Sequence, residues 1–400
     1  MRGLMQPLPQ PQRLFAFAVV VLATLLGFAA TDLVLPAVPL LPQALDGTPA
    51  QAQHVLAAFV GGFAGGLLLF GELGAHLPQR VLMTMALLVF ALASWACAEA
   101  GSMAALIALR VVQGAAAAAA AAFAPGIVRR VFEPPQAVRA IGLQGSIESL
   151  MPALAPIAGA WLLAAYTWRA SFVVVAAGAA AVAVAAAFVP SAAFPPPGAG
   201  RSSGYLRLLR NRELSRHGLA QAFSLAGLLV VVFGAPAVMV SVWGGPLSDF
   251  IRMQVVGVAT FIAAVQLSHR LCRRHGEEAV ILAGSLLSAA GCLAILGYAL
   301  AGGRSAAVVT GVWVLVNGGF GLRGPAGFMR AIVAAGGDDA RAAALVILAL
   351  LLSTAAGTVL VAPWITLGLV PVAAVASALS AGSVAILIGL RRHEGAAIAR

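Results

Sequence analysis

Apolar runs of about twenty residues, broken by short polar or arginine-bearing stretches, recur along the chain from residue 14 to residue 390. Their order predicts helices over 14–40, 53–74, 80–100, 103–127, 140–165, 169–190, 217–243, 250–271, 278–302, 305–329, 341–363 and 366–390. Twenty helical residues at about 1.5 Å each match the roughly 30 Å hydrocarbon core of a bilayer. The predicted class is therefore an all-α polytopic membrane protein with twelve transmembrane helices in two six-helix bundles.

Composition strengthens that reading: 62% of the 400 residues are hydrophobic and only 9% are charged. The 24 basic residues are all arginine. If the amino terminus faces the cytoplasm, Arg169, Arg252 and Arg304 fall in outer loops, Arg110 and Arg323 fall within helices, and the rest gather at cytoplasmic ends. The expected location is the inner membrane, multi-pass, with both termini cytoplasmic. Arginine in short loops explains the net charge of +11 without nucleic acid. Cys97, Cys272 and Cys292 are too scattered for a disulfide framework or a metal site. No cofactor is expected. The six histidines lie at helix ends or loops, with no HExxH or paired-aspartate motif, so no enzyme is expected either.

The longest interruption, 190–216, opens with Pro195-Pro196-Pro197-Gly198 and continues with Arg201, Arg207, Arg210, Arg212 and Arg216. Proline and glycine oppose a continuous helix there, and the basic remainder suits an amphipathic surface segment. The predicted domains are an N-terminal bundle over 1–190, a cytoplasmic linker over 191–216 and a C-terminal bundle over 217–400. A faint repeat agrees, since Pro36-Ala37-Val38 recurs as Pro236-Ala237-Val238.

Charged groups inside a membrane are costly, about 2.5–3.5 kcal/mol at a helix centre on insertion scales, and so mark candidate functional positions. Asp32 and Arg110 fall in the outer third of the first and fourth helices, where a pair is geometrically possible. The alternative is that both reach the headgroup layer. Glu148, with Gln144, Pro152, Pro156 and Gly159, forms a polar, kinked stripe on one face of a continuous fifth helix. Such a carboxyl suits reversible protonation, or else a packing hydrogen bond. Arg323 is expected to snorkel to the cytoplasmic surface. Gly61, Gly62, Gly65 and Gly66 make two overlapping small-xxx-small pairs, which predict close helix packing.

Four segments carry a family resemblance: Thr31-Asp32-Leu33-Val34-Leu35-Pro36-Ala37-Val38-Pro39, Arg110-Val111-Val112-Gln113-Gly114, Pro152-Ala153-Leu154-Ala155-Pro156-Ile157-Ala158-Gly159 and Trp168-Arg169. Together they resemble the major facilitator superfamily, in particular drug:proton antiporters of the bicyclomycin and chloramphenicol resistance type. The resemblance implies that Asp32 is the helix-one acid, Arg110 the basic residue of the cavity, and Pro156 to Gly159 the helix-five feature of exporters. One signature departs: the loop after helix two usually reads Gly-x-x-x-Asp-Arg-x-Gly-Arg-Arg, with charges that latch helix ends. Here Gly71 to Gln79 lack those charges and Arg80 alone remains of its arginines. The loop after helix eight keeps Arg270, Arg273 and Arg274.

The expected function is proton-coupled efflux of small lipophilic compounds by alternating access, by a monomer in the lipid bilayer. Asp32 and Glu148 are the proton-coupling candidates. Arg110, Gln113, Gln144 and Asn317 are the cavity candidates, and Pro152, Pro156, Gly159, Arg80, Arg270, Arg273 and Arg274 the conformational ones. The alternatives are a transport-inactive sensor or scaffold, motivated by the altered loop, and an importer of a small metabolite.

Overall fold

The computed structural model describes residues 8–196 and 204–398, so Pro197, Gly198 and Arg201 of the expected linker lie outside the described residues. The principal helices are α1 (Gln10–Asp32), α2 (Pro49–His76), α3 (Gln79–Ala98), α4 (Met103–Val131), α5 (Pro134–Glu148), α6 (Met151–Ala165) and α7 (Arg169–Phe188). They continue with α8 (Arg212–Pro236), α9 (Leu247–His275), α10 (Glu277–Leu300), α11 (Ala306–Ala334), α12 (Asp339–Val361) and α13 (Leu369–Ile398). Among the described residues there is no strand, and 11 helical segments are long and apolar enough to cross a membrane.

The remaining crossing is the broken pair α5–α6. A continuous helix over 140–165 was expected, but the helix stops at Glu148 and restarts at Met151. Pro152 has no N–H for the Glu148 carbonyl, and its ring crowds that carbonyl. Gln144 and Glu148 are therefore on a different helix from Pro152, Pro156 and Gly159, and the single stripe does not exist. The first helix likewise ends at Asp32 rather than residue 40, because Pro36 cannot bond the Asp32 carbonyl, and a tighter 3-10 segment follows over Leu35–Leu40. At Pro236, α8 widens into a π segment, Ala237–Val242. The two ends of the faint Pro-Ala-Val repeat thus mark the points where α1 and α8 change their winding.

Helix starts follow ordinary capping. Thr48 and Gln51 form a reciprocal capping box at α2, Ser102 caps α4, and Asn211 caps α8. The run Ala115 to Ala122 gives α4 high helix propensity and a smooth surface.

The chain forms two compact units: Met1–Ala137, Ile147–Tyr205 and Gly336–Ala344 make unit 1, and Val138–Ser146, Leu206–Ala335 and Leu345–Arg400 make unit 2. Inside unit 1, α2 and α3 pack on α4, α3 packs on α7, and α1 packs on α4 and α7. Inside unit 2 the equivalent pairings recur: α9 and α10 pack on α11, α10 on α13, and α8 on α11 and α13. The internal repeat is far plainer in packing than in sequence.

Close approach depends on particular glycines. A Cβ on Gly62 would lie 2.1 Å from the Val111 carbonyl oxygen, on Gly66 2.3 Å from that of Ala115, and on Gly114 2.0 Å from that of Phe59, so α2 and α4 meet backbone to backbone. Gly61 and Gly65 face open space, so only half of the expected glycine pattern packs. In unit 2, Gly284 and Gly319 let α10 and α11 approach in the same way, with a Cβ on Gly319 only 2.4 Å from the Ser288 nitrogen. Large apolar side chains such as Leu92, Phe188 and Val359 remain outside these cores, as lipid-facing residues do.

Candidate functional site

The termination of α1 at Asp32 leaves its last carbonyls without intrahelical partners. Arg110 on α4 meets one of them: its Nη1 donates to the Ala30 carbonyl at 2.8 Å and to Gln113 Oε1 at 2.6 Å, while its Nε donates to the Val55 carbonyl at 3.1 Å. Gln113 in turn donates to Ser94 Oγ at 2.7 Å. The guanidinium lies 4.4 Å from the Phe59 ring centre and 5.8 Å from that of Phe172. Arg110 has no solvent exposure, so helix-end dipole, rings and amide oxygen stand in for water around Nε and Nη1, while Nη2 has no hydrogen-bond partner.

Asp32 is half-buried and forms no ion pair with Arg110, which corrects the pairing suggested by their depth. The fork of Arg110 is turned instead toward the carbonyl two residues earlier. The chain just beyond Asp32 is also held: a Cβ on Gly159 would come within 2.2 Å of the Leu33 carbonyl oxygen, which accepts from Ser171 Oγ at 3.1 Å. Gly159 thus allows α6 to touch the turn after α1. Pro156 is half-buried and Pro152 exposed in the first turns of α6, and Glu148 is half-buried at the end of α5.

Unit 2 has its own buried arginine. Arg323 on α11 is fully buried rather than snorkelling, against expectation. Its Nη1 donates to the Ala220 carbonyl at 3.1 Å and to Gln221 Oε1 at 2.8 Å, both on α8, while Nε and Nη2 have no hydrogen-bond partner. Small residues make this possible, since Gly284 and Gly327 leave room where a Cβ would lie 2.9 Å from Arg323 Cβ and 3.0 Å from Nη2. Asn317, also buried, donates to the Trp313 carbonyl at 3.1 Å, and Gln144 is buried within unit 2.

Of the conformational candidates, half-buried Arg80 donates to the Ala187 carbonyl in unit 1. Arg270, Arg273 and Arg274 are exposed along the final turns of α9, where cations complement the helix dipole, and form no ion pair among the described residues.

The sequence reading missed a second ionic group in unit 1. Arg341, in the first turn of α12, donates from Nε and Nη2 to the two oxygens of Glu72 at 2.8 and 2.7 Å, and from Nη1 to Asp338 at 2.9 Å. Asp339 pairs with Arg129, and the Tyr205 hydroxyl donates to the Leu68 carbonyl at 2.6 Å beside them. Burial pushes the Asp338 carboxyl above its ordinary value, and Arg341 pulls it back. Glu72 follows Gly71 in the altered loop signature, so an acid is present there, three positions before the place where the signature has one. The visible sequence signal was the acid pair after Gly336-Gly337 next to Arg341.

A family model for the Major Facilitator Superfamily matches residues 20–358. The chain belongs to that superfamily. It is a multi-pass membrane protein with the twelve-helix major facilitator fold. This superfamily member is 26% identical over 256 residues to a bicyclomycin resistance protein homolog of Haemophilus influenzae, covering 62% of this chain and 64% of that protein. It is 31% identical over 155 residues to a chloramphenicol resistance protein of Pseudomonas aeruginosa, covering 38% and 37%. A multidrug resistance protein of Salmonella typhimurium is 23% identical over 226 residues, covering 56% and 57%. The chain thus spans less than two thirds of the length of each of these relatives. Among solved structures, a proton:xylose symporter has a TM-score of 0.77 at 13% identity, covering 95% of this chain and 96% of that one. A human organic anion transporter has 0.71 at 20% identity, covering 94% and 100%.

Proposed function

We propose that this transporter exports small lipophilic compounds in exchange for protons by alternating access. The observation that carries the reading is the end of α1. Asp32 is half-buried, next to a backbone held by Arg110, Gly159 and Ser171. A carboxyl at a fixed position, with no resident cation, is free to take protonation state as its variable. In this reading Arg110 and Gln113 position Asp32, Glu148 is a second proton carrier beside the α5–α6 break, and Gln144 and Asn317 contact substrate. The arginine clasp of Glu72, Asp338 and Arg341 takes the place of the missing loop charges, with Arg80, Arg270, Arg273 and Arg274 at the cytoplasmic ends. The drug-resistance relatives support the substrate class, and the arginine distribution supports an inner-membrane location with both termini cytoplasmic. The functional molecule is the monomer, with bundles over 1–190 and 217–400.

One inward charge at about 100 mV supplies about 2.3 kcal/mol, enough for roughly a fifty-fold substrate gradient at about 1.4 kcal/mol per tenfold. The test is purified protein in proteoliposomes with a panel of fluorescent lipophiles. An acidic interior should drive accumulation inside, and a protonophore should abolish it. Accumulation driven by an acidic exterior would instead identify a symporter, and no gradient-dependent movement of any probe would leave the export reading without support.

A further inference from the structure

Three side chains of unit 2 that transport leaves unused converge near the start of α8. Glu213 and His217 stand one turn apart on α8, and the turn at Gly276, with φ of 84°, lets α10 open with Glu277 and Glu278 opposite them. The His217 side chain is completely buried, and neither of its ring nitrogens makes a hydrogen bond. Its Nε2 is nevertheless 3.1 Å from Glu213 Oε2 and 3.2 Å from Glu278 Oε1. The two carboxylates flank the nitrogen without completing a hydrogen bond to it, as ligands around a common centre do.

We propose that Glu213, His217 and Glu278 form a binding site for a divalent transition metal of the zinc class, with a fourth position open to water. Zinc takes imidazole nitrogen and carboxylate oxygen at about 2.0–2.2 Å in a tetrahedron, which separates neighbouring donors by roughly 3.3–3.5 Å. The observed separations lie just inside that edge length, and all three donor atoms fall within 4.8 Å of one another. A neutral imidazole with two carboxylates suits zinc, cobalt or nickel, whereas calcium and magnesium call for all-oxygen shells.

The charges facing the site set its terms. Arg216 donates to both Glu278 oxygens at 3.1 Å and lies 3.9 Å from Glu213, and Arg330 donates to Glu278 Oε1 at 3.1 Å and lies 4.0 Å from Glu277. These cations compete with a metal, yet they also fix the carboxylate, as outer-shell partners of metal ligands do. A metal on Oε1 leaves Arg216 on Oε2, and Arg330, whose side chain is 36% exposed, turns to Glu277. The carboxylates, 37% and 31% exposed, provide the entry path to the buried ring. The bound metal ties α8 to α10 within unit 2, whatever the transported substrate.

The experiment uses full-length protein carrying a streptavidin-binding tag in place of polyhistidine, titrated with Co2+ by visible absorption and with Zn2+ by calorimetry. One metal per chain with a tetrahedral cobalt spectrum is expected, together with a higher unfolding temperature in Zn2+. His217→Ala and Glu213→Gln should each weaken binding tenfold or more. His217→Cys should retain the metal and add a thiolate charge-transfer band, which also decides the matter if His217→Ala fails to fold. Binding that is unchanged in His217→Ala and Glu213→Gln, a Cys variant without the new band, or no stoichiometric binding would each mean an adventitious ion only and overturn the site.

Discussion

The two units share one packing scheme but treat their buried arginines differently. In unit 1, Arg110 uses two nitrogens for three hydrogen bonds and rests against two aromatic rings, at the negative end of a helix dipole. In unit 2, Arg323 bonds through Nη1 alone, and Nε and Nη2 are unmet. A guanidinium without water, acid or full hydrogen bonding is expensive to bury. Arg110 also leaves its Nη2 without a partner, so the difference is one of degree: one unmet nitrogen beside three hydrogen bonds and two rings, against two unmet nitrogens beside two hydrogen bonds.

The shared scheme can be broken first, and with the largest effect. Gly62→Ala puts a methyl group 2.1 Å from a backbone oxygen in unit 1, and Gly319→Ala one 2.4 Å from a backbone nitrogen in unit 2. Each should destabilise by about 3 kcal/mol or prevent folding, since backbone cannot yield as a side chain does. Gly61→Ala, facing open space, should be neutral within about 0.5 kcal/mol. Unfolding in detergent checks all three, and a tolerated Gly62→Ala would refute the close contact of α2 with α4.

The arginine contrast comes next. Arg110→Lys replaces a planar fork with a single ammonium, so the Ala30 and Val55 carbonyls and Gln113 cannot all be met, and stability should fall by about 2 kcal/mol. Arg323→Lys loses less, about 1 kcal/mol, because one nitrogen carried both bonds. Equal losses in the same unfolding assay would erase the distinction. A smaller effect than at either arginine belongs to the clasp on Arg341: Glu72→Gln should cost under about 1 kcal/mol, because the Glu72 side chain is 47% exposed. The same variant should nonetheless alter transport rate more than stability.

Much of this fold was legible because bilayer thickness dictates helix length, and hydropathy reads length well. Helix breaks were less legible: Pro36 and Pro152 were visible, but whether a proline bends a helix or ends it depends on the neighbours that take up the freed carbonyls. Arg323 was misread because its distance from a helix end suits a snorkelling residue equally well, and only Gly284 and Gly327 provide the room that buries it. The Glu72–Arg341 pair was out of reach, since 269 residues separate its members. Likewise, the i, i+4 pair Glu213 and His217 was readable, but not the turn that brings Glu278 to it.

The central claim, that protonation of Asp32 couples to export, is tested most directly by comparing two modes of transport in one variant. In proteoliposomes, Asp32→Asn should still exchange labelled for unlabelled substrate across the membrane with no pH gradient, because the amide keeps the size of the side chain. It should lose accumulation driven by an acidic interior, and Asp32→Glu should restore part of it. Gradient-driven accumulation at the wild-type level in Asp32→Asn would contradict the account.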